Sequence, residues 1–117
     1  MTAKKPLSID IEPCDCGIII RPHGDVDLSS SPDLRAAMQE AIARKPTTAV
    51  VDLSDVAYMD SSGVATLVEA LQHARRNNSR LVLCNLSKRV NSIFQIARLD
   101  AIFTIVDDLD AAAEVSN

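Results

Sequence analysis

Aromatic residues are scarce in this chain: 117 residues include no tryptophan, one tyrosine and two phenylalanines. That removes the platforms on which single-stranded bases stack. Positive charge is scarce as well, with 12 Lys and Arg against 16 Asp and Glu and a formal net charge of -4. Phosphate backbones reward clustered Lys and Arg, so no direct nucleic-acid partner is expected. Glycine occurs only at Gly17, Gly24 and Gly63, and no G-x-x-x-x-G-K phosphate cradle can be assembled from them. No cofactor is expected. The two histidines, His23 and His73, stand far apart, which makes a zinc site an unsuitable reading, and no metal is expected. No window approaches the roughly 20 apolar residues of a membrane span. The start, "MTAKKPLSID", carries two lysines without the apolar stretch of a secretion signal. No membrane insertion and a cytoplasmic location are therefore expected. Cysteine is limited to Cys14, Cys16 and Cys84; an odd number suits no closed disulfide framework and agrees with a reducing compartment. Cys14-Asp15-Cys16 lacks the two-residue spacer and the second ligand pair of a metal or redox motif. It reads as thiols in a turn.

What is present is aliphatic. Hydrophobic residues make up 47% of the chain, enough for one buried core and too little length for two domains. "LSIDIEP" alternates apolar and polar as a half-buried strand does, and "GIIIRPHGDVD" reads as a second strand joined to it in a hairpin. Pro22 cannot donate to a ladder, so it belongs at an edge or at the strand's end. "SSSPDLRAAMQEAIARK" places serines and Pro32 at a helix start, with Leu34, Met38, Ala41 and Ile42 at helical spacing. "TTAVVDL" and "RLVLCNL" are short β-branched and aliphatic runs of the kind found in buried strands. A helix follows through Val90, Ile93, Phe94 and Ala97, then a short strand "IFTIV" and a last helix "DDLDAAAEV" with an acidic first turn. The order β-β-α-β-α-β-α-β-α predicts a single α/β domain. Its mixed, mostly parallel sheet has about five strands under about four helices. Residues 7–115 form that domain, and residues 1–6 are expected to be a flexible N-terminus.

Between two of these elements lies "YMDSSGVATLVEAL", residues 58–71. Val64, Leu67, Val68, Leu71 and Ala74 form the stripe that faces the sheet, with Ser62, Thr66, Glu69 and His73 on or near the other side. Asp60 or Ser61 is suited to cap the helix. Capping accounts for one polar side chain and leaves the others unexplained. A serine hydrolase is not indicated, because Met59 occupies the place of an elbow glycine and no histidine is placed beside Ser61. A phosphoacceptor aspartate is not indicated either. Asp52 ends a buried strand, but the acids of "IDIEPC" are separated and "TIVDDLD" has no lysine.

"VVDLSDVAYMDSSGVATLVEAL" closely resembles the central segment of the STAS family, in particular its anti-sigma-factor antagonists. "HGDVDLSSSPDL" is similar to the family's Gly-x-x-Asp turn, through Gly24 and Asp27. "RLVLCNLSKRVNSIFQIARLDAIFTIVDDLDAA" resembles its C-terminal half, including the Leu99 and Phe103 rhythm. The likeness spans roughly residues 7–115 and is most specific at Asp60-Ser61-Ser62-Gly63. Val64-Ala65 replace the usual Leu-Gly, and Pro22 and Ala97 also depart from the pattern. The resemblance implies a binding module rather than an enzyme. On that resemblance its surface at Asp25, Asp27, Asp60, Ser61, Ser62 and Gly63 is expected to dock on an anti-sigma factor that is also a serine kinase, with release of a sigma factor. Phosphorylation of Ser61 ends the contact and a serine phosphatase restores it. Ser62 then serves as support and Gly63 as clearance for a partner's backbone. The alternative implied by the same family is an unphosphorylated STAS subunit regulating a lipid-transport ATPase complex.

Overall fold

A computed structural model describes residues 7–115. Its elements are β1 (Ser8–Cys14), β2 (Gly17–His23), α1 (Ser31–Ala43), β3 (Thr48–Asp52), α2 (Ser61–Arg76), β4 (Arg80–Cys84), α3 (Lys88–Ile96), β5 (Thr104–Val106) and α4 (Leu109–Val115). A single 3-10 turn, Leu99–Ala101, sits between α3 and β5. The five strands lie side by side in chain order, β1 antiparallel to β2 and the other neighbours parallel. The α/β order read from the sequence is the order observed. The expected flexible N-terminus, residues 1–6, lies outside the described residues. Among the described residues no helix is long and apolar enough to cross a membrane.

Alternation along each strand divides the sheet into two faces. Ile18 and Ile20 of β2, Ala49 and Val51 of β3, and Leu81 and Leu83 of β4 join the main core. Leu34, Met38 and Ile42 of α1, Leu67 and Leu71 of α2, and Val90 and Phe94 of α3 pack on them. On the opposite face, Val50, Val82 and Cys84 form a smaller cluster with Ala112 of α4. The strand "TAVVD" is therefore buried on both sides, as its run of apolar residues demands. Phe94 and Phe103 meet edge to face with centroids 5.3 Å apart, an arrangement the ring quadrupoles favour.

Pro22 lies inside β2, opposite Ile9 of β1, but the β2–β3 ladder runs only from Gly17 to Ile20. Its missing N–H falls beyond the end of that ladder, so no parallel hydrogen bond is lost. Gly17 has φ +142°, and a Cβ there would lie 2.1 Å from the Thr48 carbonyl oxygen. Only glycine lets β3 approach the hairpin at this point.

The hairpin turn corrects one expectation. Cys14 and Cys16 are not free thiols: they are joined in a disulfide. Cys14 pairs with Gly17 at the closing end of the ladder, so the chain reverses over Asp15 and Cys16. Their Cα atoms are 5.3 Å apart, inside the roughly 4.4–6.8 Å range of bridged cysteines. Counting three cysteines missed this, because an odd number is also a pair plus one, and Cys84 is the free, buried one.

Candidate functional site

Asp60 organises the N-terminus of α2. In extended conformation as the N-cap residue, its Oδ1 accepts from the Ser62 and Gly63 amides at 2.9 and 3.3 Å and from the Ser62 hydroxyl at 2.5 Å. Its Oδ2 accepts from the Leu28 amide at 3.1 Å. The Ser62 hydroxyl first, and then the amides, hold the carboxyl below its ordinary value against the opposing effect of burial. One side chain thus caps α2 and ties it to the loop that precedes α1.

That loop is also held along its backbone. The Val26 amide donates to the Tyr58 carbonyl at 3.0 Å and the Asp60 amide to the Val26 carbonyl at 3.0 Å. Gly24, at φ +124°, turns the chain out of β2, and its amide donates to the Asp55 carbonyl at 3.0 Å. Asp27 shapes the next turn: its Oδ1 accepts from the Ser29 and Ser30 amides at 3.0 and 3.1 Å and from the Ser29 hydroxyl at 2.8 Å. The Asp25 carbonyl accepts from the Ser30 hydroxyl at 2.9 Å. The structure therefore brings Asp25, Asp27, Asp60, Ser61 and Ser62 to one end of the molecule, above the C-terminal edge of the parallel strands. Open α/β sheets present their binding surfaces at this edge.

The two serines differ. Ser61 is exposed, and among the described residues its hydroxyl has no hydrogen-bond partner. Ser62 is half-buried and committed to Asp60. Gly63 is packed against the protein's own interior. It is buried, and a Cβ there would lie 2.6 Å from Met59 Cγ and 2.7 Å from Val26 Cγ1. The clearance it provides is to the protein's own core, which corrects the role expected for it. Thr66 is a second correction: it is buried, because α1 packs across the side of α2 that the helical stripe leaves open. Its hydroxyl donates to the Ser62 carbonyl at 2.9 Å. A groove between α1 and α2 is lined by Arg35, Met38, Thr66, Glu69, His73 and Arg76, with Arg35 bonded to Glu69 at 2.9 Å.

Sequence reading missed two features of this end. Leu28 is 78% exposed and Tyr58 39% exposed, an apolar pair flanking the serines. An apolar residue set in the polar run "DVDLSSS" is the signal that points to Leu28. The second feature is a charged network on the sheet face that carries α4. Asp52, its side chain 4% exposed, accepts from Arg21 Nε at 2.9 Å, from Asn85 Nδ2 at 3.0 Å and from the Ser54 amide at 3.0 Å. Burial pushes its carboxyl up, but these bonds outweigh burial and hold it below the ordinary value. Arg21 also bonds Glu12. His23 lies between Asp10 and Asp55, with Nε2 2.8 Å from one and Nδ1 2.6 Å from the other. The Asp10 bond, then the Asp55 bond, raises its pKa.

Among the described residues no histidine stands beside the Ser61 hydroxyl. His73 stands 12 residues along α2 from Ser61, about 18 Å at the helical rise. His23 is engaged by two carboxylates. Among the described residues no cluster of His, Cys, Asp and Glu is placed to hold a metal ion.

The STAS domain family model matches residues 8–112. The anti-sigma-B factor antagonist of Listeria monocytogenes is 33% identical over 100 residues, covering 85% of this chain and 88% of the relative. Among solved structures, an anti-sigma factor antagonist from Mycobacterium paratuberculosis superposes with a TM-score of 0.88 at 21% identity. It covers 99% of this chain and 98% of its own. The Bacillus cell fate determinant SpoIIAA in its phosphorylated form superposes with a TM-score of 0.70 at 24% identity, over 92% of this chain and 99% of that one. The chain belongs to the STAS domain family.

Proposed function

We propose that this protein is an anti-sigma factor antagonist whose docking surface is the end of the molecule around Ser61. Phosphorylation of the Ser61 hydroxyl would switch that surface off. The observation that supports Ser61 over its neighbour is hydrogen bonding: the Ser61 hydroxyl is exposed and unpartnered among the described residues, whereas the Ser62 hydroxyl is held by Asp60. A kinase needs a hydroxyl free to enter its site, and Ser62 would first have to break a bond to a carboxylate. The names of related proteins, such as the anti-sigma-B factor antagonist of Listeria monocytogenes, support the identity of the partner class.

The electrostatics suit a switch. A phosphoserine adds roughly −1.5 to −2 charges and three acceptor oxygens. The positive dipole end of α2 lowers its cost to the fold. Residues 22–34 and 46–74, the two segments that meet at Ser61, contain no Lys or Arg, yet they carry Asp25, Asp27, Asp55 and Asp60. New negative charge among these carboxylates remains uncompensated when a partner covers it, and a buried unpaired charge is costly. Leu28 and Tyr58 add exposed apolar surface in the same two segments. The anti-sigma partner acts as the serine kinase, and a serine phosphatase resets the cycle.

The test is the intact mass of the protein purified from its own host, with and without phosphatase treatment. One phosphate located on Ser61, absent from Ser61→Ala, is expected. Unphosphorylated protein in stable complex with a transport ATPase would establish the constitutive-subunit alternative instead. Phosphate on Ser62 would overturn the assignment to Ser61.

A further inference from the structure

The hairpin turn at the other end of the sheet holds chemistry that partner switching does not use. Cys14 closes the β1–β2 ladder opposite Gly17, and Cys16 follows after a single residue. The register places the two sulfurs within bonding reach without any other element having to move, and both residues are half-buried rather than sealed in. Cys16 rests against the small cluster formed by Val50, Val82, Cys84 and Ala112. The third cysteine is the opposite case. Cys84 is 0% exposed, and burial pushes its thiol up to about 12, so it has neither access nor thiolate.

We propose that Cys14 and Cys16 form a reversible dithiol–disulfide site that exchanges with low-molecular-weight disulfides of the glutathione class, and that Cys84 takes no part. In the forward direction one cysteine thiolate attacks a sulfur of the small disulfide. That S–S bond breaks, a protein–small-molecule mixed disulfide forms, and one small thiolate leaves. The second cysteine thiolate then attacks the protein sulfur of the mixed disulfide, closing the Cys14–Cys16 bond and expelling the second small thiolate. The two protons lost by the protein thiols end on the two small thiols, and the two electrons they receive reduce the original disulfide. Because the second thiol is two positions along a pinned turn, closure outruns any outside thiol. The mixed disulfide is therefore transient.

The position of the pair separates it from Ser61. Gly17 pairs with Thr48 at the start of β3, whereas Ser61 follows the loop that leaves the end of β3. The redox state of the turn is thus an input distinct from phosphorylation, at the opposite edge of the sheet.

The full-length protein, equilibrated without oxygen in graded ratios of oxidised to reduced glutathione, is quenched with an alkylating agent and analysed by intact and peptide mass. With the quench carried out in denaturant so that every thiol is counted, the expected result is loss of two of the three labels in one step as the ratio rises. Cys14 and Cys16 then lie in one closed peptide, and Cys84 labels only after unfolding. At least one of Cys14→Ser and Cys16→Ser stops at the glutathione adduct of the remaining thiol, which traps the intermediate. Three labelled thiols at every ratio, an adduct as the end state of the unsubstituted chain, or a bridge including Cys84 would overturn the proposal. So would a bond that stays closed in excess reduced glutathione, since that bond is structural and not exchanging. The unsubstituted chain decides the matter even where a variant fails to fold.

Discussion

A methyl group at Gly63 would sit 2.6 Å from Met59 Cγ and 2.7 Å from Val26 Cγ1, and both neighbours are fully buried. Met59 and Val26 also form one of the bridges between the site loops. Pushing them apart strains the clamp that orients Ser61. Gly63→Ala is expected to destabilise the fold by about 1–3 kcal/mol, the usual cost of overpacking, read from the urea midpoint. A midpoint unchanged from the parent would mean that Met59 turns aside freely and that the contact constrains nothing. At the same scale, the pair Ser61 and Ser62 looks equivalent in one dimension. Both precede an amphipathic run, and either suits a helix start. They differ because Asp60 takes the N-cap position and its carboxylate reaches the second hydroxyl, not the first.

Strand β2 carries two cations on one face, Arg21 and His23, and each is bracketed by acids from neighbouring segments. Arg21→Met leaves Asp52 almost fully buried without its counter-charge. Removing one partner of a buried pair costs about 3 kcal/mol, so a urea midpoint displaced by a comparable amount is expected. A negligible shift would show that Asn85 and Ser54 suffice to hold the carboxylate. His23 gives a pH dependence with a defined sign. Its folded pKa is raised above the ordinary 6.5, so the stability it contributes is complete below that value and lost as pH rises through the folded pKa. The stability gap between the parent and His23→Gln should therefore close on going from about pH 5 to about pH 9, followed by denaturation at each pH. A gap that widens with pH would reverse the assignment of the charged form. Helix α2 shows where periodicity stops. Leu67, Leu71 and Ala74 face the sheet as the stripe requires, while Thr66 is buried because α1 lies across the flank the stripe leaves open.

The molecule as a whole separates its proposed docking surface from its core. The sheet and its helices supply the apolar burial. Ser61 stands at a helix N-terminus, where added negative charge meets the positive end of the dipole. Ser61→Asp should accordingly leave global stability within about 0.5 kcal/mol of the parent, as surface substitutions do, while weakening the anti-sigma partner in calorimetry. Loss of stability comparable to that of a core substitution would place Ser61 within the packing and sink the separation of folding from switching.

Strand alternation, β-branched runs, the apolar stripes of α1 and α2 and the acid-serine-serine-glycine start of α2 are local patterns, and local patterns suffice for the element order and the α/β class. They depend on neighbours two to four positions away. What no local pattern carries is the surroundings of a side chain. Among the described residues Ser61 is unpartnered and Ser62 is tied because of where one carboxylate points. Gly63 is a core residue because Val26 crosses beneath it from 37 positions earlier. Cys14 and Cys16 meet because the ladder closes opposite Gly17. Leu28 is left outside because its amide donates a hydrogen bond to the Asp60 carboxylate, which holds its backbone against the site. Exposure and partnership come from contacts between distant segments, so only the folded chain decided which residues at this end pack and which remain available.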